Sequence, residues 1–165
     1  SRTVGVGVSE FAESPAEVVS GETVSEIVTS AAHALAQLEF LKSAVDSAAD
    51  VPESFEFPDR VKGHLEALND AAALRGADGN LGMGWKEYFR PLGIEYKPKI
   101  SETTRNMWGR EYTFDYRGER VLFEEHFTIG AKDANKCLSI HFSTRLRKDK
   151  IVVAYVGRHL TNTQT

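Results

Sequence analysis

The fold is decided by two stretches in which apolar and polar side chains alternate, ERVLFEEHFTI (residues 119–129) and CLSIHFSTRLR (residues 137–147). Successive side chains of a β-strand point to opposite faces, so this alternation predicts two half-buried strands. The flanking segments Gly109–Tyr116 and Ile151–Arg158 are each predicted to add one more strand. Arg117-Gly118 stands between the first two strands, where a two-residue hairpin turn is expected and glycine supplies the positive φ.

The register across the hairpins follows from the same alternation, because a slip of one residue would turn every side chain to the wrong face. Five pairs are expected to lie opposite each other: Tyr112 with Phe123, Phe114 with Val121, Phe127 with Ile140, Ile129 with Leu138, and His126 with His141. One face of the predicted sheet is then apolar and consists of Tyr112, Phe114, Val121, Phe123, Phe127, Ile129, Leu138, Ile140, Phe142 and Leu146. The other face is polar and carries Glu124, His126, Ser139, His141, Ser143 and Arg145.

Glu125 interrupts the apolar face. A carboxylate in that position needs a partner, because burying an unpaired charge is costly. The register places Arg110 opposite Glu125, so a structural ion pair between them is expected. The register of the last strand is less determined, because Ile151–Val156 is apolar on both sides. Either Arg158 or His159 can therefore lie on the polar face.

Helices are predicted to precede the sheet. Residues 14–17 (SPAE) and 23–26 (TVSE) match the capping-box pattern that begins a helix. From Val24, apolar residues recur at spacings of three and four, which predicts one long amphipathic helix to about Ala49. A homodimer could form through this helix, which spans residues 24–49.

Two further helices are expected, one around residues 61–72 and a short one that contains Trp85, Tyr88 and Phe89. The predicted fold class is therefore α+β, with N-terminal helices packed on a C-terminal antiparallel sheet of about four strands. Residues 1–14 are predicted to be a linker or disordered, and residues 15–80 a helical segment. Residues 81–165 are predicted to be an α+β sheet domain that forms one compact unit with the helices.

The composition narrows the class of protein. The chain has 165 residues, 41% hydrophobic and 27% charged, which suits a soluble globular protein, and we expect it to be cytoplasmic. No apolar run approaches the roughly 18 residues that would span a membrane. The single Cys137 excludes an internal disulfide and a cysteine zinc cage.

The charge is unevenly distributed along the chain. The net charge of −4 divides into +3 for residues 109–165 and −7 for the preceding 108 residues. This pattern indicates a basic functional part beside an acidic segment.

The polar face is where the sequence allows chemistry to be argued. His126 and His141 are predicted neighbours across two strands, close enough to share a phosphate, to bind a metal or to stack. Glu124 lies beside His126, where a carboxylate could orient the imidazole and raise its pKa. The histidine spacing matches no known ligand motif, so no metal and no cofactor are predicted, and a small metalloenzyme is the third hypothesis.

Residues 137–159 contain a strand that ends in arginine, LSIHFSTR (138–145), then a charged turn, then IVVAYVGRH (151–159). This pattern resembles the C-terminal hairpin of the RelE/ParE toxin superfamily. Those proteins are small α+β domains with N-terminal helices on an antiparallel sheet, and the RelE branch cleaves mRNA in the ribosome. The resemblance implies a metal-independent ribonuclease or toxin-type effector domain of a bacterial conflict or defence protein, with RNA or the ribosome as partner.

The resemblance also implies roles for individual residues. Arg145 corresponds to the family's sheet arginine, His159 or Arg158 to its C-terminal histidine or arginine, and Glu124 or Glu125 to its sheet carboxylate. In such a reaction Glu124 or His126 would be the base, Arg145 would stabilise the phosphorane charge, and His141 or His159 would be the acid.

The alternative hypothesis is a non-catalytic interaction module. In that case the histidine face would recognise a protein or nucleic-acid partner, or the rest of a larger chain. Its basic rim, which would also contact nucleic acid in a ribonuclease, consists of Arg145, Arg147, Lys148, Lys150 and Arg158.

Overall fold

The computed structural model describes residues 21–130 and 136–160 and has the expected α+β architecture. The helices in these ranges are α1 (Val24–Ala34), α2 (Lys42–Ala49), α3 (Pro58–Arg75), α4 (Trp85–Phe89) and α5 (Glu102–Trp108). The strands are β1 (Leu38–Phe40), β2 (Tyr96–Lys97), β3 (Thr113–Tyr116), β4 (Glu119–Leu122), β5 (Glu125–Gly130), β6 (Cys137–Ser143) and β7 (Ile151–Arg158). The predicted linker, residues 1–14, and the first capping box lie outside the described residues.

The strands form two sheets instead of the single antiparallel sheet that was predicted. Five strands lie in the order β1-β7-β6-β5-β2, and β3 and β4 form a separate hairpin. The larger sheet is mixed, because β1 runs parallel to β7 while the other neighbours are antiparallel. The prediction of about four antiparallel strands was therefore wrong in strand number and in orientation.

The predicted register is confirmed at the residues that decide it. Phe114 lies opposite Val121, and β5 pairs with β6 so that Phe127 faces Ile140, Ile129 faces Leu138 and His126 faces His141. Tyr112 and Phe123 are also joined, by a backbone hydrogen bond of 2.8 Å from the Phe123 N–H to the Tyr112 carbonyl. The alternation of polar and apolar residues was sufficient to determine these pairs.

The single apolar face that was predicted is divided between two layers, because the predicted strand over residues 119–129 ends at Leu122 and restarts at Glu125. Phe127, Ile140 and their neighbours pack with the helices in the main core. Phe123 instead packs against Val152 and Ala154 in a small second layer. The β3–β4 hairpin is thus folded back over the opposite face of the sheet.

The long helix predicted over residues 24–49 is interrupted. Helix α1 ends at Ala34, and β1 follows before α2 begins at Lys42. The Ile151 N–H donates to the Gln37 carbonyl, and the Leu41 N–H donates to the Val153 carbonyl. A helix here would leave these β7 groups without partners, so pairing with a distant strand outweighs the local helical periodicity.

Helix α2 follows β1 and covers the part of the β7 edge that β1 does not reach. The Ser43 hydroxyl donates to the carbonyl of Ala154, the extra residue of a β-bulge. The Ser47 hydroxyl donates to the Val156 carbonyl at 2.9 Å and accepts from the Val156 N–H at 3.0 Å. Two serine side chains therefore replace a neighbouring strand and close the edge against further pairing.

The main core lies between the helices and one face of the larger sheet. Val28 of α1 and Leu65 of α3 are fully buried in the same cluster as Phe127 and Ile140. The apolar stripe of α1 therefore packs inside the protein. Within residues 21–130 and 136–160, no helix is long and apolar enough to cross a membrane.

We expect Ser47→Ala to destabilise the protein by about 1–3 kcal/mol, because it leaves the N–H and the carbonyl of Val156 without their side-chain partner. Ser30→Ala, which removes a hydroxyl from an exposed position of α1, is the control and should change stability by about 0.5 kcal/mol at most. Urea denaturation of both variants measures the difference. Equal stability of the two variants would contradict the role assigned to Ser47.

Candidate functional site

The histidine face is built around two stacked imidazoles. His126 of β5 and His141 of β6 lie directly opposite each other, with ring centroids 4.8 Å apart and an interplanar angle of 18°. Both side chains are enclosed, with 7% of His126 and 1% of His141 exposed. The structure thus brings the two histidines together but does not present them to solvent.

Aromatic residues cover the stack from the side of the β3–β4 hairpin. The Tyr112 ring contacts His141 edge-on at 5.2 Å, and the Tyr155 ring of β7 contacts it at 6.0 Å. Phe114 lies 5.9 Å from Tyr155 and extends the cover. Because Tyr112 and Phe114 were assigned to the apolar face, the sequence did not predict that they would close over the histidines.

The hydrogen bonds of the two imidazoles determine their tautomers. The Nδ1–H of His126 donates to the Glu124 carbonyl at 2.8 Å, and the Nδ1–H of His141 donates to the Phe123 carbonyl at 3.0 Å. A carbonyl oxygen only accepts, so the proton is on Nδ1 and each neutral ring has its lone pair on Nε2. Both rings therefore bind the short segment where the chain passes from β4 to β5.

Both imidazoles are neutral near pH 7. Burial lowers the pKa of His126, and the positive charge of Lys97 acts in the same direction. Burial lowers the pKa of His141 well below its usual value, and the neighbouring His126 adds to this effect. The pair is therefore unsuited to act as one charged acid and one neutral base.

His159, and not Arg158, is the residue at the end of the last strand that lies on the histidine face. Its Nδ1 lies 2.8 Å from the Ser139 hydroxyl, while Arg158 is opposite Leu138, whose side chain packs in the main core. Burial, followed by the charge of Lys97, lowers the pKa of His159. His126, His141 and His159 are thus one cluster, and the charge of Lys97 acts on two of them, His126 and His159.

Lys97 is the residue of this site that the sequence did not reveal. It is exposed on β2 and lies opposite His126 in the register of β2 with β5. Its placement beside β5 depends on a pairing between segments far apart in the chain. An isolated basic residue next to proline could not have identified it.

Glu125 is buried as expected, but the predicted ion pair with Arg110 is wrong. Arg110 lies in the 3-10 turn Gly109–Tyr112, so it does not pair across β5. The Glu125 carboxylate instead accepts from the Tyr96 hydroxyl, the Thr144 N–H at 2.8 Å and the Thr144 hydroxyl at 2.7 Å. Burial, reinforced by the Glu125 charge, raises the pKa of Tyr96, so this hydroxyl remains a donor.

A buried cation, Arg75, stands near the same carboxylate. Burial lowers the Arg75 pKa, while Glu125 raises it. The guanidinium donates to the carbonyls of Thr144 and Lys150 and lies 5.7 Å from the centre of the Trp85 ring. Glu125, Tyr96, Thr144 and Arg75 are therefore a structural network that holds the β6–β7 connection against α3.

The structure separates Arg145 from the histidines. Arg145 is exposed just beyond β6, and its charge acts on Tyr96. The cations that lower the pKa values of the three histidines do not include it. Glu124 contributes its backbone carbonyl to His126, whereas its own Oε1 is buried without a hydrogen-bond partner among the described residues.

The predicted basic rim is divided between two ends of the sheet. Arg147, Lys148 and Lys150 belong to the β6–β7 connection with Arg145, whereas Arg158 is at the other end of β7, roughly 23 Å away at about 3.3 Å per residue. Arg147 is also neutralised, because it binds Glu39 and Asp149 at 2.7 Å each. No group of three histidine, cysteine or acidic residues within the described ranges is arranged to hold a metal ion.

The buried network gives a sharp test of the Glu125 partner. Thr144→Val should lower the free energy of unfolding by about 1–3 kcal/mol, because the carboxylate loses a hydroxyl donor that water cannot replace. Arg110→Gln should leave stability within about 0.5 kcal/mol, since Arg110 is exposed. Chemical denaturation at neutral pH measures both variants. A larger loss of stability for Arg110→Gln than for Thr144→Val would support the ion pair between Arg110 and Glu125 and contradict the network described here.

In comparisons with known proteins, no family model, no curated protein and no solved structure matches the chain. The resemblance of residues 137–159 to the RelE/ParE hairpin therefore stays a prediction. What the chain does has to be argued from the histidine cluster, the cations and the surface grooves.

Proposed function

We propose that this chain is a non-catalytic interaction module that binds an acidic partner segment through a groove at one end of the sheet. The groove is lined by Val51, Pro52, Ser54, Phe55, Glu56, Lys136, Cys137, Leu138 and Arg158, and it encloses about 300 Å³. It lies where β6 begins and β7 ends, next to the segment that follows α2.

The observation that carries the proposal is the enclosure of the histidines. A metal-independent ribonuclease needs an accessible base and an acid that carries a proton to give. Only 1% of His141 is exposed, and burial lowers the pKa values of all three clustered histidines. These properties favour a structural role for the face that would otherwise carry out catalysis.

The groove has the composition of a recognition site. Val51, Phe55 and Leu138 supply apolar contacts, while Lys136 and Arg158 are exposed at its rim. Neither cation forms an ion pair with another residue in the described part of the chain. Among the described lining residues, two cations stand against the single Glu56, which favours a partner with acidic groups. The apolar floor favours a partner that also presents an apolar side chain.

A ribonuclease of the RelE type is the second candidate, and one observation favours it. Lys97 lies opposite His126 in the register of β2 with β5, and the lone pair of the neutral His126 ring is on Nε2, because Nδ1–H donates to the Glu124 carbonyl. In that reaction His126 would remove the 2′-hydroxyl proton, and the 2′-oxygen would form a bond to phosphorus as the bond from phosphorus to the 5′-oxygen breaks. Lys97, in place of Arg145, would stabilise the phosphorane charge, and the departing 5′-oxygen would take a proton from water. His141 would then position His126 and would not touch the RNA.

Binding of a defined peptide tests the first proposal. A fluorescein-labelled peptide in which aspartates alternate with leucines should bind the protein, and its counterpart with asparagines should bind at least about tenfold more weakly. The double variant Lys136→Gln/Arg158→Gln should also lose at least about tenfold in affinity, because it removes both rim cations. Lys86→Gln, which neutralises an exposed lysine of α4, is the control and should bind like the original protein. Fluorescence anisotropy measures all four cases.

Incubation with labelled single-stranded RNA separates the two candidates. The interaction module leaves the RNA at full length on a denaturing gel. Cleavage that disappears in both Lys97→Gln and His126→Gln would overturn the first proposal in favour of the ribonuclease. Equal binding of the aspartate and asparagine peptides would also reject the acidic partner.

A further inference from the structure

We propose that the stacked pair of His126 and His141 is an acid-sensitive latch that holds the β3–β4 hairpin closed over the sheet. The proposal concerns a different part of the molecule from the groove and does not depend on the partner. It follows from what the two imidazoles bind, how the hairpin is attached, and which charges face the rings.

The imidazoles bind the hairpin at the place where it joins the sheet. His141 binds the Phe123 carbonyl and His126 binds the Glu124 carbonyl, so two adjacent residues of the connection are bound by two adjacent rings. Tyr112, at the start of the hairpin, rests its ring against His141. Movement of the hairpin away from the sheet must therefore disrupt or expose the stack.

Among the described residues, the hairpin packs on a small apolar layer. The buried residues of this layer are Phe123, Val152 and Ala154, with Leu41, Phe114, Tyr116, Val121 and Leu146 partly buried around them, whereas the main core between helices and sheet contains more than twenty buried residues. The ion pair of Arg117 with Glu39 spans 3.5 Å at the surface, and exposed pairs of this kind contribute little. A unit with so little buried apolar surface is expected to open separately from the rest of the fold.

The groups that face the rings make a charge on them unfavourable. Burial is the largest effect that opposes protonation of His126, and the charges of Lys97 and His159 add to it. The hydrogen bond to the Glu124 carbonyl and the carboxylate of Glu95 favour the charged ring, but they do not outweigh burial, so the pKa of His126 is lowered. Burial opposes protonation of His141 most strongly, followed by the charges of His126 and His159, and the hydrogen bond to the Phe123 carbonyl only partly offsets them. The two neighbouring tyrosines remain uncharged, since burial raises the pKa of Tyr112 and raises that of Tyr155 to about 12.

Acid should therefore favour the open hairpin. Above the ordinary histidine pKa of 6.5 neither the open nor the closed form binds a proton here, so the latch is fully effective. As the pH falls below that value, the open form binds protons first, because the pKa values of the closed form are lowered. Protonation of both closed rings would also place two positive charges 4.8 Å apart in a buried site.

Hydrogen exchange followed by mass spectrometry tests the latch on the whole chain. Protection factors, which correct for the intrinsic effect of pH on exchange, are compared at about pH 7.5 and about pH 5. The segment 109–123 should lose at least about tenfold in protection at the lower pH, while residues 58–75 of α3 should keep theirs.

Histidine variants identify the groups that titrate. In His126→Gln/His141→Gln the hairpin should exchange at the same level of protection at both pH values. His64→Gln is the matched control, because His64 is a buried histidine of α3 whose pKa burial also lowers, and this variant should keep the full response of the hairpin. Should the double variant fail to fold, His126→Gln alone should reduce the loss of protection, since it removes one of the two rings that titrate.

Three results would overturn the latch. One is equal protection of residues 109–123 at both pH values in the original protein. Another is a simultaneous loss in the hairpin and α3, which is global acid unfolding. The third is disappearance of the pH response in His64→Gln, because it would show that His64, and not the stacked pair, is the group that titrates.

Discussion

The carboxylate of Glu125 is the constraint on which the rest of this fold depends. It is buried at the start of β5, where it accepts hydrogen bonds from Tyr96 on one neighbouring strand and from Thr144 after the other. Arg75 stands nearby and binds the connection between β6 and β7. Because a buried carboxylate without donors is strongly unfavourable, these elements can assemble only in an arrangement that satisfies it.

The position of Glu125 also places the histidines. Glu125 faces the main core, so the next residue, His126, points to the opposite face and meets His141 across the register. The chain bends just before Glu125, and the β3–β4 hairpin that precedes the bend covers this face. The same few residues therefore organise the core on one side and enclose a neutral histidine cluster on the other.

This enclosure changes the interpretation of the histidines. On an open sheet they would be candidates for acid and base, whereas under the hairpin they bind backbone carbonyls and depend on remaining uncharged. The hydrogen bonds of His126 and His141 thus go to the protein's own backbone. Recognition is proposed instead for the groove at the ends of β6 and β7, where Lys136 and Arg158 remain exposed beside apolar residues.

The sequence by itself determined the local pattern of the sheet. Alternation predicted that His126 faces His141 and that Phe127 faces Ile140, because each face of a strand must match its surroundings at every second residue. It also placed Glu125 on the core side. These features depend on neighbouring residues and on one short turn or loop, so they can be read without knowledge of distant segments.

Only the tertiary structure decided what surrounds that pattern. Residues 24–49 have a helical period, yet Leu38–Phe40 became a strand because β7 required a hydrogen-bonding neighbour. Tyr96 and Thr144 replaced Arg110 as partners of Glu125, and Lys97 came to lie beside His126 through pairing with a distant strand. The cover of the histidines, and with it their charge, likewise depends on contacts between segments far apart in the chain, which no local periodicity records.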